Sequence, residues 1–184
     1  MMMRLRKNLI LLIVVSLPLF LMACNKYKEE APFFDGLFLE YSSSGIPVTY
    51  EVSVTDNNEF KITETKKHKV FDDEIELYHV DAQGIVVKGS WKESEGYFSP
   101  IWIPINEMEV GDTFKYNGGD KYKIVKKDRW KKWNVLVIKG MTLGEERYFD
   151  LNTGFWVGLH GKGMGRAVTI VLTDTNADIP TVEE

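Results

Sequence analysis

The chain has 184 residues, of which 44% are hydrophobic and 27% are charged, and its formal net charge at pH 7 is −4. Such a composition indicates a globular protein with one domain that is long enough to bury a proper core. The acidic balance argues against general binding to nucleic acid. Because the sequence contains 1 cysteine, no disulfide can form within the chain.

The first 23 residues predict an export signal. Arg4, Arg6 and Lys7 precede the apolar stretch Leu9–Leu21, which is the order of the basic and hydrophobic regions in a secretory signal. The apolar stretch is shorter than the roughly 20 residues of a transmembrane helix, and Pro18 would kink such a helix. The pattern therefore favours a cleaved signal over a retained membrane span.

The signal ends in the tetrapeptide Leu21-Met22-Ala23-Cys24. It resembles the box of bacterial lipoprotein signals, in which cleavage between Ala23 and Cys24 leaves an N-terminal cysteine that is acylated. Several acyl chains hold a protein firmly on a bilayer where one does not. The alternative is an ordinary secretory signal with a chance cysteine. Asn25 rather than Asp follows Cys24, and by resemblance this implies the outer membrane, facing the periplasm, or the cell membrane in a Gram-positive host.

Charge and hydrophobicity divide the chain into four predicted segments. They are a signal peptide (1–23), a lipidated cysteine with its tether (24–32), a β-domain (33–173) and an acidic tail that frays (174–184). The tether is polar and charged, as flexible linkers often are. The tail has lost the hydrophobic pattern of the domain, which is typical of a disordered terminus.

Alternation of apolar and polar side chains dominates the predicted β-domain. Residues 48–54 alternate strictly, residues 56–58 have turn chemistry, and the alternation resumes at Phe60 and Ile62, which together predict a hairpin. Further strands are predicted at Glu76–Val80, Ile85–Trp91, Thr113–Tyr116, Lys121–Lys127, Asn134–Lys139, Glu146–Asp150, Phe155–His160 and Arg166–Leu172. No segment after the signal has a sustained helical stripe. The sequence therefore predicts an all-β fold, an antiparallel meander that forms a curved sheet, half-barrel or barrel.

The segment Ser99–Gly111 interrupts this pattern. Pro100 and Pro104 cannot donate to a β-ladder and so belong at an edge or in a crossover. The apolar side chains between them are Ile101, Trp102 and Ile103. Two hypotheses fit these residues. Either the segment is a connection that caps the core, or Ile101, Trp102 and Ile103 form the lip of an apolar cavity that takes a ligand.

Three motifs, at Pro100–Pro104, Val110–Phe114 and Tyr148–Phe155, follow one another in the second half of the chain. Their order resembles that in small envelope lipoproteins whose sheet is similar to the lipoprotein-carrier fold of LolA and LolB. The resemblance implies a curved antiparallel sheet with an apolar concave face that accepts acyl chains. The three short helices that cover this face in the carriers have no clear counterpart in the sequence.

The segment Lys126–Trp133 is unusually basic and aromatic for an acidic domain. Its basic and aromatic members are Lys126, Lys127, Arg129, Trp130, Lys131, Lys132 and Trp133. Tryptophan and basic side chains favour the surface of an anionic bilayer, so the segment is a candidate membrane or partner loop. The alternative is a solvated hairpin whose tryptophans fold back onto the sheet.

The sequence offers no catalytic constellation. His68, His79 and His160 lack the spacing of a hydrolytic zinc site, and no Gly-x-Ser-x-Gly motif is present. We therefore expect no enzyme, no metal and no cofactor. The preferred hypothesis is a membrane-anchored, non-catalytic envelope lipoprotein that binds a hydrophobic ligand or acyl chain. The alternative is a structural or protein-interaction module with a filled core. Expected partners are the membrane through Cys24 and a lipid or envelope protein, but not nucleic acid.

Overall fold

The computed structural model of the chain describes residues 27–43, 46–55, 57, 59–68, 71–90, 95–116, 120–163 and 166–182. The predicted signal peptide and its cleavage site at Ala23 and Cys24 lie outside these residues. Trp91, the predicted end of one strand, also lies outside them. All structural statements below concern the described residues.

The described residues form one antiparallel sheet of 11 strands, and they contain no α-helix. The strands are β1 (Phe38–Ser43), β2 (Ile46–Val54), β3 (Phe60–Lys66), β4 (Glu74–Val80), β5 (Val86–Gly89), β6 (Thr113–Tyr116), β7 (Asp120–Trp130), β8 (Trp133–Gly140), β9 (Glu146–Asp150), β10 (Trp156–Gly163) and β11 (Arg166–Thr175). A 3-10 turn, Ile105–Glu107, precedes β6. The predicted all-β class and antiparallel meander are confirmed.

Two meanders make up the sheet, whose strand order is β5-β4-β3-β2-β1-β11-β10-β9-β8-β7-β6. The pairing of β1 with β11 joins them in the middle. The segment 90–112, here called the crossover, connects the two edge strands β5 and β6. Phe98 in the crossover forms isolated bridges to Ile85 and to Tyr116. The sheet is not closed into a barrel, because Phe98 lies between the two edges and β5 does not pair with β6.

The two ends of the sheet differ in the loops that they carry. The loops after β2, β4, β7 and β9 share one end, which the crossover covers through a bridge between Trp102 and Phe155. We call it the plugged end. The loops after β3 and β8 lie at the opposite end, which we call the polar end because of the side chains described below.

Most predicted strands agree with the observed ones. Thr113–Tyr116 and Glu146–Asp150 have the predicted bounds, β5 is shorter than predicted, and the others shift or lengthen by a few residues. The strand β1 was missed by the sequence analysis, because its alternation covers only Leu39 and Tyr41 before serines follow. Its two partners in the sheet, β2 and β11, supply the context that the local pattern lacks.

Both ends of the described chain extend the domain beyond its predicted limits. In the predicted tether, the Ala31 backbone N–H donates to the carbonyl of Ala82 at 2.8 Å, and the carboxylate of Glu29 accepts from the backbone N–H of Asn106 at 2.9 Å. These contacts fix the tether on the crossover and on the loop after β4. The folded structure therefore begins before residue 33.

The segment after β11 also differs from the expectation of a frayed tail. The strand itself runs to Thr175, and the Asn176 side chain accepts from the Phe38 backbone N–H at 2.9 Å. Further on, the Val182 N–H donates to the carbonyl of Lys132 at 2.7 Å. Residues 176–182 therefore contact the plugged end, where the β7–β8 hairpin also lies.

Candidate functional site

The three predicted lip residues lie inside the plugged end. Ile101, Trp102 and Ile103 are each 0% exposed. The indole N–H of Trp102 donates to the carbonyl of Thr153 at 2.9 Å. Around it, the crossover backbone pairs with the loop after β9, since the Trp156 N–H donates to the Ile101 carbonyl at 2.9 Å. A ligand at this end would have to displace Trp102, and the role of a ligand lip stays a prediction.

Glycines make room for Trp102. Gly154 has φ +74°, which L-residues rarely adopt, and a Cβ at this position would lie 2.9 Å from the Trp102 indole nitrogen. Gly84 has φ +69°, and a Cβ there would lie 2.8 Å from a carbon of the same ring. The turn glycines of two loops therefore also define the slot that the tryptophan fills.

The basic segment Lys126–Trp133 forms the end of β7, a tight turn and the start of β8. Trp130 stacks on Tyr148 with a centroid distance of 4.4 Å and an interplanar angle of 11°, and Trp133 is only 2% exposed. The side chains of Lys126, Lys127, Arg129, Lys131 and Lys132 are exposed. The tryptophans thus pack on the sheet, and any contact with a membrane or partner depends on the basic side chains. That function stays a prediction.

A second group of inward-facing side chains lies towards the polar end, and it includes charged residues. Strand alternation places Glu64 of β3 on the same face as buried Ile62, and Arg147 of β9 on the same face as buried Phe149. The two charges belong to different halves of the sheet. Charged groups inside a fold destabilise it unless they are paired or hydrogen-bonded.

On one wall, an acidic cluster is partly neutralised by a lysine. The Lys66 ammonium lies 3.3 Å from a Glu64 oxygen and 3.2 Å from a Glu76 oxygen. The Tyr78 hydroxyl donates to Glu64 at 3.2 Å and to Glu76 at 2.5 Å. Two carboxylates thus share one ammonium and one phenol, and this wall keeps a net negative charge when both are ionised.

Burial and charge act in opposite directions on these groups. Burial raises the pKa of Glu64, and Lys66 lowers it by less. Burial lowers the pKa of Lys66, but the neighbouring Glu64 and Glu76 raise it, and the net pKa is raised. The lysine therefore stays protonated, while Glu64 binds a proton more readily than a solvated glutamate.

On the opposite wall, Arg147 lies among aromatic rings. Its guanidinium carbon is 5.2 Å from the ring centroid of Tyr116, 5.6 Å from that of Tyr122 and 5.7 Å from that of Trp156. These are cation–π distances. Its Nε is buried without a hydrogen-bond partner, and no carboxylate in the described part of the chain forms an ion pair with it. The arginine is half-buried as a residue, although its Nε is completely buried.

Glu145 lies beside this arginine. One of its carboxylate oxygens accepts from the Tyr122 hydroxyl at 2.6 Å, and the other is buried without a partner. Two glycines make room for it, since a Cβ on Gly140 would lie 2.6 Å from its carboxyl carbon and a Cβ on Gly161 2.7 Å from its own Cβ. A donor and an acceptor without partners, the Arg147 Nε and one Glu145 oxygen, therefore belong to the same wall.

The phenols around Arg147 are neutral at physiological pH. Burial raises the pKa of Tyr116 to about 12, although the Arg147 guanidinium lowers it. Burial also raises the pKa of Tyr122, and it raises the pKa values of Tyr41 and Tyr50 well above the usual range. No phenolate is therefore present to neutralise the guanidinium, which contacts the ring faces and also forms a hydrogen bond with Tyr116.

Sequence reasoning singled out neither Glu64 nor Arg147, although a signal was available. In β3 the apolar positions 60 and 62 continue in step to Glu64, and in β9 Arg147 is in step with Phe149. A charged residue on the apolar face of an alternating strand is the pattern to look for. The sequence could not show that both strands curve around one interior.

The remaining candidate groups are dispersed. The His68 Nε2 lies 3.8 Å from a Glu74 oxygen, and the His160 Nδ1 lies 3.1 Å from the Thr169 hydroxyl. Within the residues that the structure describes, no group of three or more His, Cys, Asp and Glu side chains could hold a metal. The same residues contain no helix that is long and apolar enough to cross a membrane.

Comparison with known proteins finds no protein-family model, no curated protein and no solved structure that matches this chain. The resemblance to bacterial lipoprotein signals and to the LolA and LolB carriers therefore stays a prediction from the sequence.

Proposed function

We propose that this protein is a membrane-anchored, non-catalytic envelope lipoprotein that binds a hydrophobic ligand or acyl chain on the concave face of its sheet. Acylated Cys24 holds it at the outer membrane, facing the periplasm. The observation that carries the ligand proposal is the half-buried Arg147, which lies among aromatic rings without a carboxylate partner in the described chain. We place the ligand at the polar end.

The inward-facing side chains next to Arg147 support an apolar ligand. Leu159 is its direct partner on β10, and Ile170 is the partner of Leu159 on β11. Val48 of β2 lies opposite the buried Tyr41. Leu159, Ile170 and Val48 are only half-buried, whereas Ile101, Trp102 and Ile103 at the plugged end are completely buried. Apolar surface that the chain itself leaves uncovered is available to a ligand.

The docked tether supports an orientation for the anchored domain. Tyr27 contacts the crossover, with its ring centroid 4.9 Å from that of Phe98. Two residues separate it from Cys24, and an extended chain covers at most about 3.6 Å per residue. An acylated Cys24 therefore holds the plugged end near the bilayer. The polar end then points away from the membrane, towards the periplasm.

The exposed lysines of the β7–β8 turn lie at the plugged end, which this orientation brings to the bilayer. Replacing Lys131 and Lys132 by Gln should weaken binding to anionic vesicles roughly fivefold for each side chain lost. Vesicle flotation of residues 25–184 without acyl chains, which would otherwise hold every variant on the bilayer, measures the effect. Lys139→Gln, an exposed lysine towards the polar end of β8, is the control. Unchanged binding in the double variant would end the membrane role of this loop.

A structural or protein-interaction module is the second candidate. The observation that favours it is the complete filling of the plugged end by Trp102 and its neighbours. Such a module would have no vacant ligand space, and its surface loops would engage an envelope protein.

Native mass spectrometry separates the two candidates. The full chain is reconstituted in phosphatidylcholine nanodiscs and released in the spectrometer before and after organic extraction. A stoichiometric adduct, beyond the acyl chains bound to Cys24 and lost on extraction, is expected for a ligand binder. Protein ions that carry no such adduct, and that take up no added fatty acid or phospholipid, would favour the interaction module. The mass of the N-terminal peptide tests acylation in the same sample.

A further inference from the structure

We propose that Arg147 binds the anionic head group of an amphiphile whose hydrocarbon chain lies along the concave face, and that the site selects a head with one negative charge. The shared chemistry is an oxyanion, either a carboxylate or a phosphodiester. This inference rests on the proposed function and adds the chemical class of the ligand to it.

The argument begins with the hydrogen-bonding capacity of the guanidinium. Arginine carries five N–H donors in one plane and has no acceptor. The faces of Tyr116, Tyr122 and Trp156 stabilise its charge at 5.2 to 5.7 Å. One hydrogen bond, with Tyr116, leaves further donors in the guanidinium plane. The buried Nε without a partner shows that this capacity is incompletely used. A planar oxyanion is the group that guanidinium donors bind best, often through two parallel hydrogen bonds.

The described carboxylates of the same interior form no ion pair with Arg147, although Glu145 lies close enough for its charge to raise the pKa of the arginine. One Glu145 oxygen accepts from Tyr122, while Glu64 and Glu76 share Lys66 and Tyr78. A ligand oxyanion would therefore supply the hydrogen-bond acceptor that these carboxylates do not offer to the Arg147 Nε.

The apolar neighbours of Arg147 indicate that a ligand bound there is amphiphilic. Its cross-strand partners are Ile138 on β8 and Leu159 on β10. Beside them, the Trp156 ring stacks on the Tyr41 ring with a centroid distance of 4.4 Å. The Tyr41 hydroxyl donates a hydrogen bond to the Trp156 carbonyl at 2.7 Å. Ile138, Tyr41 and Trp156 are buried, so the apolar surface that a ligand can reach beside the cation is that of half-buried Leu159 and its neighbour Ile170. A hydrocarbon chain fits this surface better than a sugar does.

The opposite wall sets the number of charges. Glu64, Glu76 and Lys66 together leave a negative charge there when both glutamates are ionised. The field of Glu64 reaches Tyr116, which also contacts Arg147. A head group with two negative charges would gain from one arginine and lose against this wall. A singly charged head avoids that repulsion.

Photocrosslinking of the full chain in isolated membranes tests the inference. Three probes carry the same diazirine-bearing acyl chain. They are the free fatty acid, its methyl ester and a monoacyl phosphatidylglycerol, whose head is a phosphodiester. Crosslinked peptides are mapped by mass. We expect the anionic probes to label peptides of β2, β10 and β11 at least tenfold more than the ester does, and whichever anion labels more identifies the source of the oxyanion.

Variants assign the effect to the arginine. Arg147→Gln should reduce labelling by the anionic probes to the level of the ester, while labelling by the ester itself stays unchanged and so shows that the fold and the apolar surface are intact. Arg147→Lys keeps the charge and should keep part of the preference. Lys139→Gln, an exposed cation on β8, is the matched control and should behave like the unaltered chain.

The outcomes distinguish this inference from the proposed function. Equal labelling by acid and ester, or an anion preference that survives in Arg147→Gln, would overturn the role of Arg147 and leave ligand binding in place. Absence of labelling at the polar end with all three probes would overturn both and favour the interaction module. Loss of ester labelling together with anion labelling in both arginine variants would make Arg147 a structural residue, and the inference would be wrong.

Discussion

The two ends of this sheet receive the same strands but bury different chemistry. At the plugged end, the crossover inserts Ile101, Trp102 and Ile103, and all three are fully buried. Towards the polar end, the inward positions include Glu64 and Arg147, and several apolar neighbours stay half-buried. One end is thus completed by the chain itself, whereas the other retains half-buried apolar side chains and an arginine that forms no ion pair with a described carboxylate.

From this difference we expect the plugged end to contribute most to stability and the polar end to contribute most to ligand binding. Buried apolar packing stabilises a fold in proportion to the area removed from water. A buried cation without an ionic partner stabilises it little and is often replaceable by an apolar residue. We therefore expect substitutions at the plugged end to affect unfolding strongly and substitutions at the polar end to affect ligand binding more than unfolding.

The largest effect is expected for Trp102→Ala. This change removes a fully buried indole and its hydrogen bond to Thr153, and such truncations cost about 3–5 kcal/mol of unfolding free energy. Urea unfolding followed by circular dichroism measures the loss. Phe71→Ala is the control, because Phe71 is 78% exposed and its loss should change little. A small loss of unfolding free energy in Trp102→Ala would mean that the packing of Trp102 at the plugged end contributes little to stability.

Substitutions of two glycines test whether the contact with Trp102 at the plugged end contributes to stability. Gly154→Ala introduces strain at φ +74° and places a methyl group against the Trp102 ring and the backbone of Ile103, whereas Gly36→Ala introduces similar strain at φ +81° with nothing within 4 Å. Strain of this kind costs about 1–3 kcal/mol. Thermal melting should show a larger loss for Gly154→Ala. Equal losses would show that backbone strain alone decides and that the contact with Trp102 is unimportant.

Arg147→Met tests the polar end directly. Replacing a buried charge by an apolar side chain of similar length is often neutral or stabilising, so the unfolding free energy should stay the same or rise by about 1 kcal/mol. Arg147→Ala, which also removes the packing on three aromatic rings, should be less stable than Arg147→Met. A clear loss of stability in the Met variant would identify Arg147 as part of the fold's own framework.

The smallest effect is expected for Glu64→Gln, and it depends on pH. Because burial raises the pKa of Glu64, the folded state binds more protons than the unfolded state between the two pKa values. The stability of the unaltered protein therefore falls as the pH rises through that window. Glutamine does not titrate, so the variant should gain relative stability across the same window and keep the gain above it.

Unfolding curves at several pH values measure this difference. Glu74→Gln is the control, since Glu74 lies 3.8 Å from the same lysine but is half-exposed to solvent. It should follow the unaltered protein closely. If Glu64→Gln instead loses stability relative to the unaltered protein as the pH rises, the sign is opposite to that expected from burial. The ion pair between Glu64 and Lys66 would then dominate.

Particular residues show how far the sequence could lead. The strand Glu146–Asp150 was predicted with its observed bounds, because alternation and the following turn residues are local signals. The strand β1 was missed, because it is short and its partner β11 lies more than a hundred residues away. For Trp102 the sequence left two hypotheses open. The structure shows the indole filling the interior, which is the geometry of a cap.

The candidate site could not be predicted from the sequence, because it too depends on contacts between distant strands. Glu64 and Arg147 each stand out on an alternating strand, but the two strands are five positions apart in the sheet order. Their common interior arises only because the sheet curves and the crossover draws its edges together at Phe98. The structure places the predicted basic loop in the β7–β8 hairpin. The stacking of Trp130 on Tyr148, which the sequence could not show, holds this tryptophan on the sheet while the basic side chains stay exposed.

The sequence by itself determined the all-β class, most of the hairpins and the prediction of a lipid-anchored export signal, because these depend on period-two alternation, turn chemistry and short linear motifs. The tertiary structure alone decided the pairing of β1 with β11, the burial of Trp102 and the meeting of charged and aromatic side chains inside the polar end. Contacts between distant segments depend on sheet curvature and on which apolar surfaces can be covered together. Neither is encoded in any single stretch of the chain.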